Sequence, residues 1–502
     1  MKEQVRHSVE EVWRHDCAAL DEALSESIRE LEDLLRLDEY HRHRHDPDTL
    51  ERALGPLAET NLDLGSLSRL LDKSTHSRAI APERLERVRA LTETLGEMKQ
   101  AWSNAPPDLV SVDIQKEESE ILELAREHFN RVARVFRALR IAQLEIRAKY
   151  EPETHDSVFA DFDWRQLGPG ELRLSPPFLV MACIDGGSGA QLRKMMSLLE
   201  SRMPIKIAAL RSGLREVYSP GSDIRVPAMM TIETLPLAMR GVYFLQTCVA
   251  DPDLQKRLFD GLTAPRPGVI SLLCQRSDEE QAAFQRRAER AVRARAFPIC
   301  VYDPGRAGRF VMCFDLSSNP SPDAPWTTET LCGLDPAGQG VDVEETFTFA
   351  HFAASEAEFA EELSDSPADD DSLIPMADYL SFSRQQRVGK HPFISLVGKD
   401  GSIVRKVVSP AIALQCADRL HLWRTLQELS GVDNPHVNTT RTALENELGA
   451  QHRAALKNLK RETEQNVAGR EQVAVASAMR NLVAHLTGVT PPPIRVSSDS
   501  EE

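Results

Sequence analysis

Apolar residues recur at helical spacing over the first and last parts of this chain and gather into short unbroken runs in its middle. Over residues 6–37, Val9, Val12, Leu20, Leu24, Ile28, Leu31 and Leu35 return at three- and four-residue intervals, which predicts one amphipathic helix. DPDTLERAL starts another, with Asp48 as a cap. Helical character over 66–104 ends at Pro106-Pro107, so 1–107 reads as an all-α region. A long helix follows from about Lys116 to Tyr150, with Ile121, Leu124, Phe129, Val132, Val135, Phe136 and Leu139 in its apolar stripe, and Pro152 stops it. Phe159, Phe162 and Trp164 read as core anchors.

The pattern changes at Ser175. The run PPFLVMACI meets the glycine-rich turn DGGSG, then the helical AQLRKMMSLLES, then a second apolar run, MPIKIAAL, and later a third, PGVISLLC. Strand, glycine turn, helix and strand make a βαβ unit. In open α/β sheets ligands bind at the carboxyl ends of the strands, where Asp185, Gly186, Gly187, Ser188 and Gly189 fall. Leu235–Ala250 and Asp251–Leu262 read as helices, Val269–Cys274 as a strand, and Ser277–Ala296 as a polar helix. Phe297–Tyr302 and Phe310–Phe314 read as short strands joined through Asp303-Pro304-Gly305.

Residues 316–345 look loop-rich, Phe347–Leu363 helical, and SDSPADDD an acidic flexible linker. Phe393–Val408 reads as a β-hairpin about Lys399-Asp400-Gly401, followed by a helix from Ala411 to Leu429. A charged final helix or helix pair spans 440–486, and PPPIRVSSDSEE reads as a disordered tail. The expected fold is α/β: a parallel sheet with flanking helices over 116–315, an all-α region before it (1–107), a small α+β extension (316–435), C-terminal helices (436–490) and a disordered acidic tail (491–502).

Composition narrows the function. At 502 residues the chain has room for two to four domains of about 100–200 residues. A net charge of -17 argues against a nucleic-acid surface. No apolar run approaches the roughly 18 residues a membrane span needs. MKEQVRHSVEEVW lacks the apolar core of a signal peptide, so the cytoplasm is the expected compartment. The eight cysteines form no CxxC pair, which speaks against a zinc site or an iron–sulfur cluster made by this chain alone. His41, His43 and His45 alternate, but arginines interleave them and a solvated loop accounts for the run. Arg211, Arg215 and Arg225, in and just before the polar loop Gly213–Pro227, read either as an anion site or as surface charge.

The segments RVFRALRIAQLEIRAKYEPETHDSVFADFDW, LSPPFLVMACIDGG, MMSLLESRMPIKIAAL and GVYFLQTCVADPDLQKRLFDGLTAPRPGVISLLC follow one another in order. RARAFPICVYDP, CFDLSSNP and the hairpin and helix ending near Val432 continue the series. In that order they resemble the C-terminal, thiamine-diphosphate-binding part of the long-chain pyruvate (2-oxoacid):ferredoxin oxidoreductases. The resemblance implies a thiamine-diphosphate-type sheet and a place in a 2-oxoacid oxidoreductase complex. It also implies thiamine diphosphate held through Mg2+ at a GDG motif. Dimers are common in the family, so self-association is expected by resemblance.

Here the triplet is Ile184-Asp185-Gly186, and Asp185 is the metal ligand the resemblance implies. The other positions depart from the family. The loop is cut to Gly187-Ser188-Gly189, Arg211-Ser212 stands where the family carries a metal-binding Asp-Thr, and Val217 or Pro220 replaces its Asn. Arg211, Ser212 and the DGGSG turn could still take an anion, or could be inherited packing. The chain also lacks the partner domain and clusters of the family reaction. Three readings follow: a subunit lending a divergent cofactor domain to a composite site, a non-catalytic structural or regulatory paralogue, or an anion or nucleotide sensor. No catalytic acid, base or nucleophile stands out. His155 reads as a helix-end histidine, and Asp303 and Asp315 as turn stabilisers.

Overall fold

The computed structural model describes residues 18–55, 63–74, 79–104, 110–184, 189–214, 232–306, 308–335, 338–365 and 372–488. The chain divides after Val432 into two units, and each is described by itself.

The larger unit is organised around a seven-stranded sheet: β1 (Val110–Asp113), β2 (Phe178–Cys183), β3 (Lys206–Arg211), β4 (Tyr243–Thr247), β5 (Gly268–Leu273), β6 (Cys300–Tyr302) and β7 (Phe314–Asp315). Their order is β1-β2-β3-β5-β4-β6-β7. The first five positions are parallel, β6 pairs antiparallel with β4, and β7 pairs antiparallel with β6 at one edge. Every residue of β3, β4 and β5 is buried, as continuous apolar runs covered on both faces require. One face packs Phe178, Val180, Ile207, Phe244 and Val269. The other packs Leu179, Met181, Leu210, Leu245 and Ile270. This is the expected mixed α/β core with a mostly parallel sheet.

Three readings change in this core. The expected helix Leu235–Ala250 is helical only over Leu235–Ala238, and Tyr243–Thr247 is the inner strand β4. A short apolar run rich in aromatics suits helix and buried strand alike, and here pairing with β5 decides. Strand β1 has no counterpart in the sequence reading, because four residues at an edge carry little periodic signal. Of Phe310–Phe314 only Phe314 is extended, in β7, and the rest is a 3-10 turn.

Before the sheet, the helix Ala18–His43, the helix Pro82–Asn104 and the 29-residue helix Glu118–Ile146 pack through Leu24, Leu31, Val88, Leu95, Val132 and Phe136. The first of them continues through His43, past the expected end at 37. Its last turn is anchored by Asp38, which receives Arg42 Nε at 2.6 Å and the Ile80 amide at 2.6 Å. His43 then bonds Asp46 at 2.7 Å, so the histidine run is half helix and half turn. Glu145, 0% exposed, ties the layer together: it accepts from Arg84 Nε at 2.8 Å and Arg87 Nε at 2.6 Å.

After the sheet, the expected loop of 316–345 contains a hairpin, β8 (Thr327–Leu334) with β9 (Gly340–Phe347). Its alternate Thr, Glu and Asp residues give it a polar composition that masks the period of two. The expected helix Phe347–Leu363 is two short pieces, Phe349–Ala353 and a 3-10 turn over Ala357–Glu362. The acidic linker begins as strand β10 (Leu363–Asp365), paired antiparallel with Lys406–Val408. The remainder of it, 366–371, lies outside the described residues. The predicted hairpin is present as β12 (His391–Val397) and β13 (Ile403–Val408), in a four-stranded sheet β10-β13-β12-β11, where β11 is Leu373–Pro375.

The helix Pro410–Ser430 is capped by Ser409, which accepts from the Ile412 amide at 3.2 Å, and ends on left-handed Gly431. It buries Ile412 and Cys416 in one cluster and Trp423 and Leu426 in the main core. Arg295, fully buried, lies 4.0 Å over the Trp423 ring and donates to Ser321 O at 2.7 Å. Burial pulls its pKa down to about 10. No helix among the described residues is long and apolar enough to cross a membrane.

The second unit is one 53-residue helix, Pro435–Thr487, with none of its residues buried. Asn434 caps its start by accepting from the His436 amide at 3.0 Å, and left-handed Gly488 closes it. It is therefore a single helix and not a pair; the tail 491–502 lies outside the described residues.

Removing Glu145 leaves Arg84 and Arg87 facing a buried space without their carboxylate. Glu145→Ala is expected to cost about 3 kcal/mol. Glu123→Ala, in an exposed pair with Arg126, is expected to cost about 0.5 kcal/mol or less. Urea denaturation of the two variants checks the difference.

Candidate functional site

The βαβ unit places its glycine turn between Cys183, the last residue of β2, and Gly189, the first of the helix Gly189–Glu200. Asp185, Gly186, Gly187 and Ser188 lie outside the described residues. Arg215 and Arg225 do as well. What is described at this carboxyl edge is the end of β3, and there Arg211 is decisive.

Arg211 closes β3 opposite Leu273 of β5. Its side chain is buried and points at Glu233, with Nη1 3.0 Å from Oε1. Glu233, in the 3-10 turn Ile232–Thr234, is 3% exposed. Arg419, 0% exposed, brings Nη1 to 3.6 Å from the same oxygen. Two guanidinium groups thus share one buried carboxylate at the carboxyl end of β3. Ser212, which follows, is held by its backbone: its carbonyl accepts from Arg287 Nη1 at 3.2 Å.

The network continues outward. Arg287 also donates to Cys274 O at 2.8 Å and forks onto Glu279 at 2.7 and 2.8 Å, a bidentate pairing. Burial works against ionising Glu279, but Arg287 and the Arg276 amide outweigh it and its pKa falls. Arg276 Nη2 lies 2.5 Å from Glu356 and 3.6 Å from Glu358. Burial raises the pKa of Glu356, and the Arg276 charge opposes it. Glu358 in turn abuts Gly213, where an added Cβ would sit 3.3 Å from its carboxylate. Four arginines and four carboxylates therefore interleave along this edge. The acids come from chain segments far from the βαβ unit.

The resemblance implies Mg2+ and a diphosphate here. A hard divalent cation requires converging oxygen ligands. Among the described residues, the end of β3 offers two cationic groups around one carboxylate, which does not fit such an ion. Among the described residues no group of three or more His, Cys, Asp or Glu is placed to hold a metal.

Arg211 ends β3 and Ser212 follows it, each held in the network just described. Glu233 and Arg419 were missed. Their signal was charge in an apolar setting, TIETLPLA and ALQCADRLHLW. His155 packs at a helix start, its Nδ1 2.9 Å from the Glu151 amide. Asp303 accepts from the Gly305 amide at 2.8 Å, a turn role as read. Asp315 accepts from Ser317 at 2.7 Å but also meets Arg257 at 3.2 Å.

The opposite, amino edge of the sheet carries a cavity of about 950 Å³. Tyr243 and Phe259 give it apolar wall, while Arg173, Arg266 and Arg306 are matched by Glu22, Asp260 and Asp303. Equal numbers of opposite charges leave no net preference for an anion or a cation. Beside it Lys206, at the start of β3, is wholly buried and donates Nζ to Ala264 O at 2.6 Å and to Arg266 O. Burial, reinforced by Arg266, brings its pKa down to about 7.

A scan against models of protein families finds no match to this chain, and a comparison with curated proteins finds none.

Two outcomes test this account of the edges. Arg211→Leu is expected to cost about 3–5 kcal/mol in urea unfolding, because it leaves Glu233 buried with one cation fewer. An arginine serving only a ligand at the surface would cost about 0.5 kcal/mol or less. Lys206 is protonated in the folded state only below about 7, and in the unfolded chain up to its ordinary 10.5. Between those values the unfolded state holds more protons, so stability rises with pH, by up to a few kcal/mol. Lys206→Met is expected to flatten that rise, which denaturation midpoints at pH 7 and pH 10 compare.

Proposed function

We propose that this chain is a non-catalytic structural subunit of a 2-oxoacid:ferredoxin oxidoreductase-like complex, built on a divergent thiamine-diphosphate-type core and working in the cytoplasm. One observation carries the reading: Arg211, where the resemblance calls for a metal-binding Asp, is buried against Glu233 with Arg419 on the same oxygen. A metal-bridged diphosphate would meet two arginines and an already matched acid there. The segmental resemblance from Arg134 to Val432 supports the complex it would serve.

The carboxyl edge also supports a structural role on energetic grounds. Its charges come from β3, the helix Gln281–Arg293, the Glu356–Glu358 turn and the helix Pro410–Ser430. They hold the α+β extension onto the sheet, the use an inherited ligand edge acquires when the ligand is gone. A lender of a cofactor domain to a composite site would instead bind thiamine diphosphate when its partner is present. An anion sensor would be stabilised by phosphate or nucleotide.

Calorimetric titration of the purified chain with thiamine diphosphate, with and without Mg2+, separates these readings. No Mg2+-dependent binding is expected, and Asp185→Ala is expected to leave both the titration and the activity of any reconstituted complex unchanged. A ligand at a hundredfold excess over its Kd would add about 2.7 kcal/mol of stability. A rise in melting temperature that needs both Mg2+ and Asp185 would overturn the proposal.

A further inference from the structure

The amino edge of the sheet holds polar groups that the described residues leave unused. Tyr243, at the start of β4, is 2% exposed and lines the cavity of about 950 Å³. Its hydroxyl has no hydrogen-bond partner among the described residues. A buried polar group left unpaired costs free energy unless something else satisfies it, so such groups are few in native proteins. Burial, and after it the charges of Asp260 and Asp303, raise the pKa of the phenol, so it stays a hydroxyl in acidic surroundings.

Charge in the same cavity is divided between committed and uncommitted groups. Asp303 and Arg306 serve their own turn: Arg306 Nε lies 3.8 Å from Asp303, whose Oδ1 accepts from the Gly305 amide at 2.8 Å. Arg266 is half-buried, and its guanidinium has neither an ion pair nor a hydrogen bond among the described residues. Lys206 pins the backbone that presents it, through Ala264 O at 2.6 Å and Arg266 O. Arg173, exposed at the end of the helix Pro169–Arg173, is uncommitted in the same way, and so are the carboxylates of Glu22 and Asp260. Two acids and two bases therefore share one cavity without closing an ion pair.

A simple anion entering there meets Glu22 and Asp260, and a simple cation meets Arg173 and Arg266. A ligand with one charge of each sign satisfies both sets. Tyr243, Phe259 and Leu174 give apolar wall for the body between its charges. The volume lies at the upper end of the range for small-ligand sites and has room for more than one amino acid. We infer, independently of the role proposed above, that this cavity binds a short peptide by its free ends. Arg266 and Arg173 take the carboxylate; Asp260, Glu22 and the Tyr243 hydroxyl take the ammonium.

Ultrafiltration of the full-length protein with an equimolar mixture of unprotected tripeptides, read by mass spectrometry, is expected to retain a subset of them. Mixtures acetylated at the amino end or amidated at the carboxyl end are expected to be retained about tenfold less. Arg266→Gln is expected to weaken binding of a retained peptide about tenfold in calorimetry. It is expected to make no further difference once that peptide is amidated, because the group it holds is gone. Tyr243→Phe is expected to weaken binding while leaving the urea midpoint unchanged, whereas loss of a hydroxyl that only supported the fold would lower that midpoint. Retention of no tripeptide overturns the proposal, and so does equal retention of free and blocked mixtures. A rise in melting temperature with inorganic phosphate that Arg266→Gln abolishes would mark a simple anion site and overturn it as well.

Discussion

The charge buried at the end of β3 is the constraint on which the rest of the larger unit depends. A guanidinium without a counter-charge does not survive in an apolar interior, because desolvation costs several kcal/mol per ion. Arg211 is 6% exposed and Arg419 is 0% exposed, and Glu233 between them supplies counter-charge to both. Since Arg419 belongs to the helix Pro410–Ser430, this requirement fixes that helix against the sheet. The same helix then delivers Trp423 to the main core and to Arg295, whose guanidinium stacks on it at 4.0 Å. A polar cluster therefore specifies how the apolar layers meet, which apolar contacts alone leave loosely defined.

The same device recurs at two other joints. Glu145 binds Arg84 and Arg87 where the N-terminal helices meet the helix Glu118–Ile146. Arg287 binds Glu279, Cys274 O and Ser212 O where strands β3 and β5 end. In each case one multi-toothed charged side chain closes several strand or helix ends at once. Among the described residues, such side chains pair the charges at the carboxyl edge of the sheet with one another.

Much of the fold was legible, for identifiable reasons. The runs PPFLVMACI, MPIKIAAL and PGVISLLC are β2, β3 and β5, since unbroken apolar segments bounded by Gly and Pro have few other uses. Lys399-Asp400-Gly401 marked the turn between β12 and β13, where Gly401 takes a φ of 81° that other residues avoid. The misread elements are those whose state depends on neighbours. Tyr243–Thr247 is a strand because β5 and β6 lie on either side of it, and β8 and β9 pair despite a polar composition. The charge at Arg211 was legible too, but its burial against Glu233 was not.

By itself the sequence determined the periodic elements and the sheet's principal strands, because these are local properties. Tertiary structure alone decided strand order, the status of Leu235–Ala250 and the partner of Arg211. Glu233 lies 22 residues from Arg211. Arg419 lies far beyond both, and no spacing rule connects them. Which acid neutralises a given arginine is settled only when the chain has packed and burial makes every unmatched charge costly.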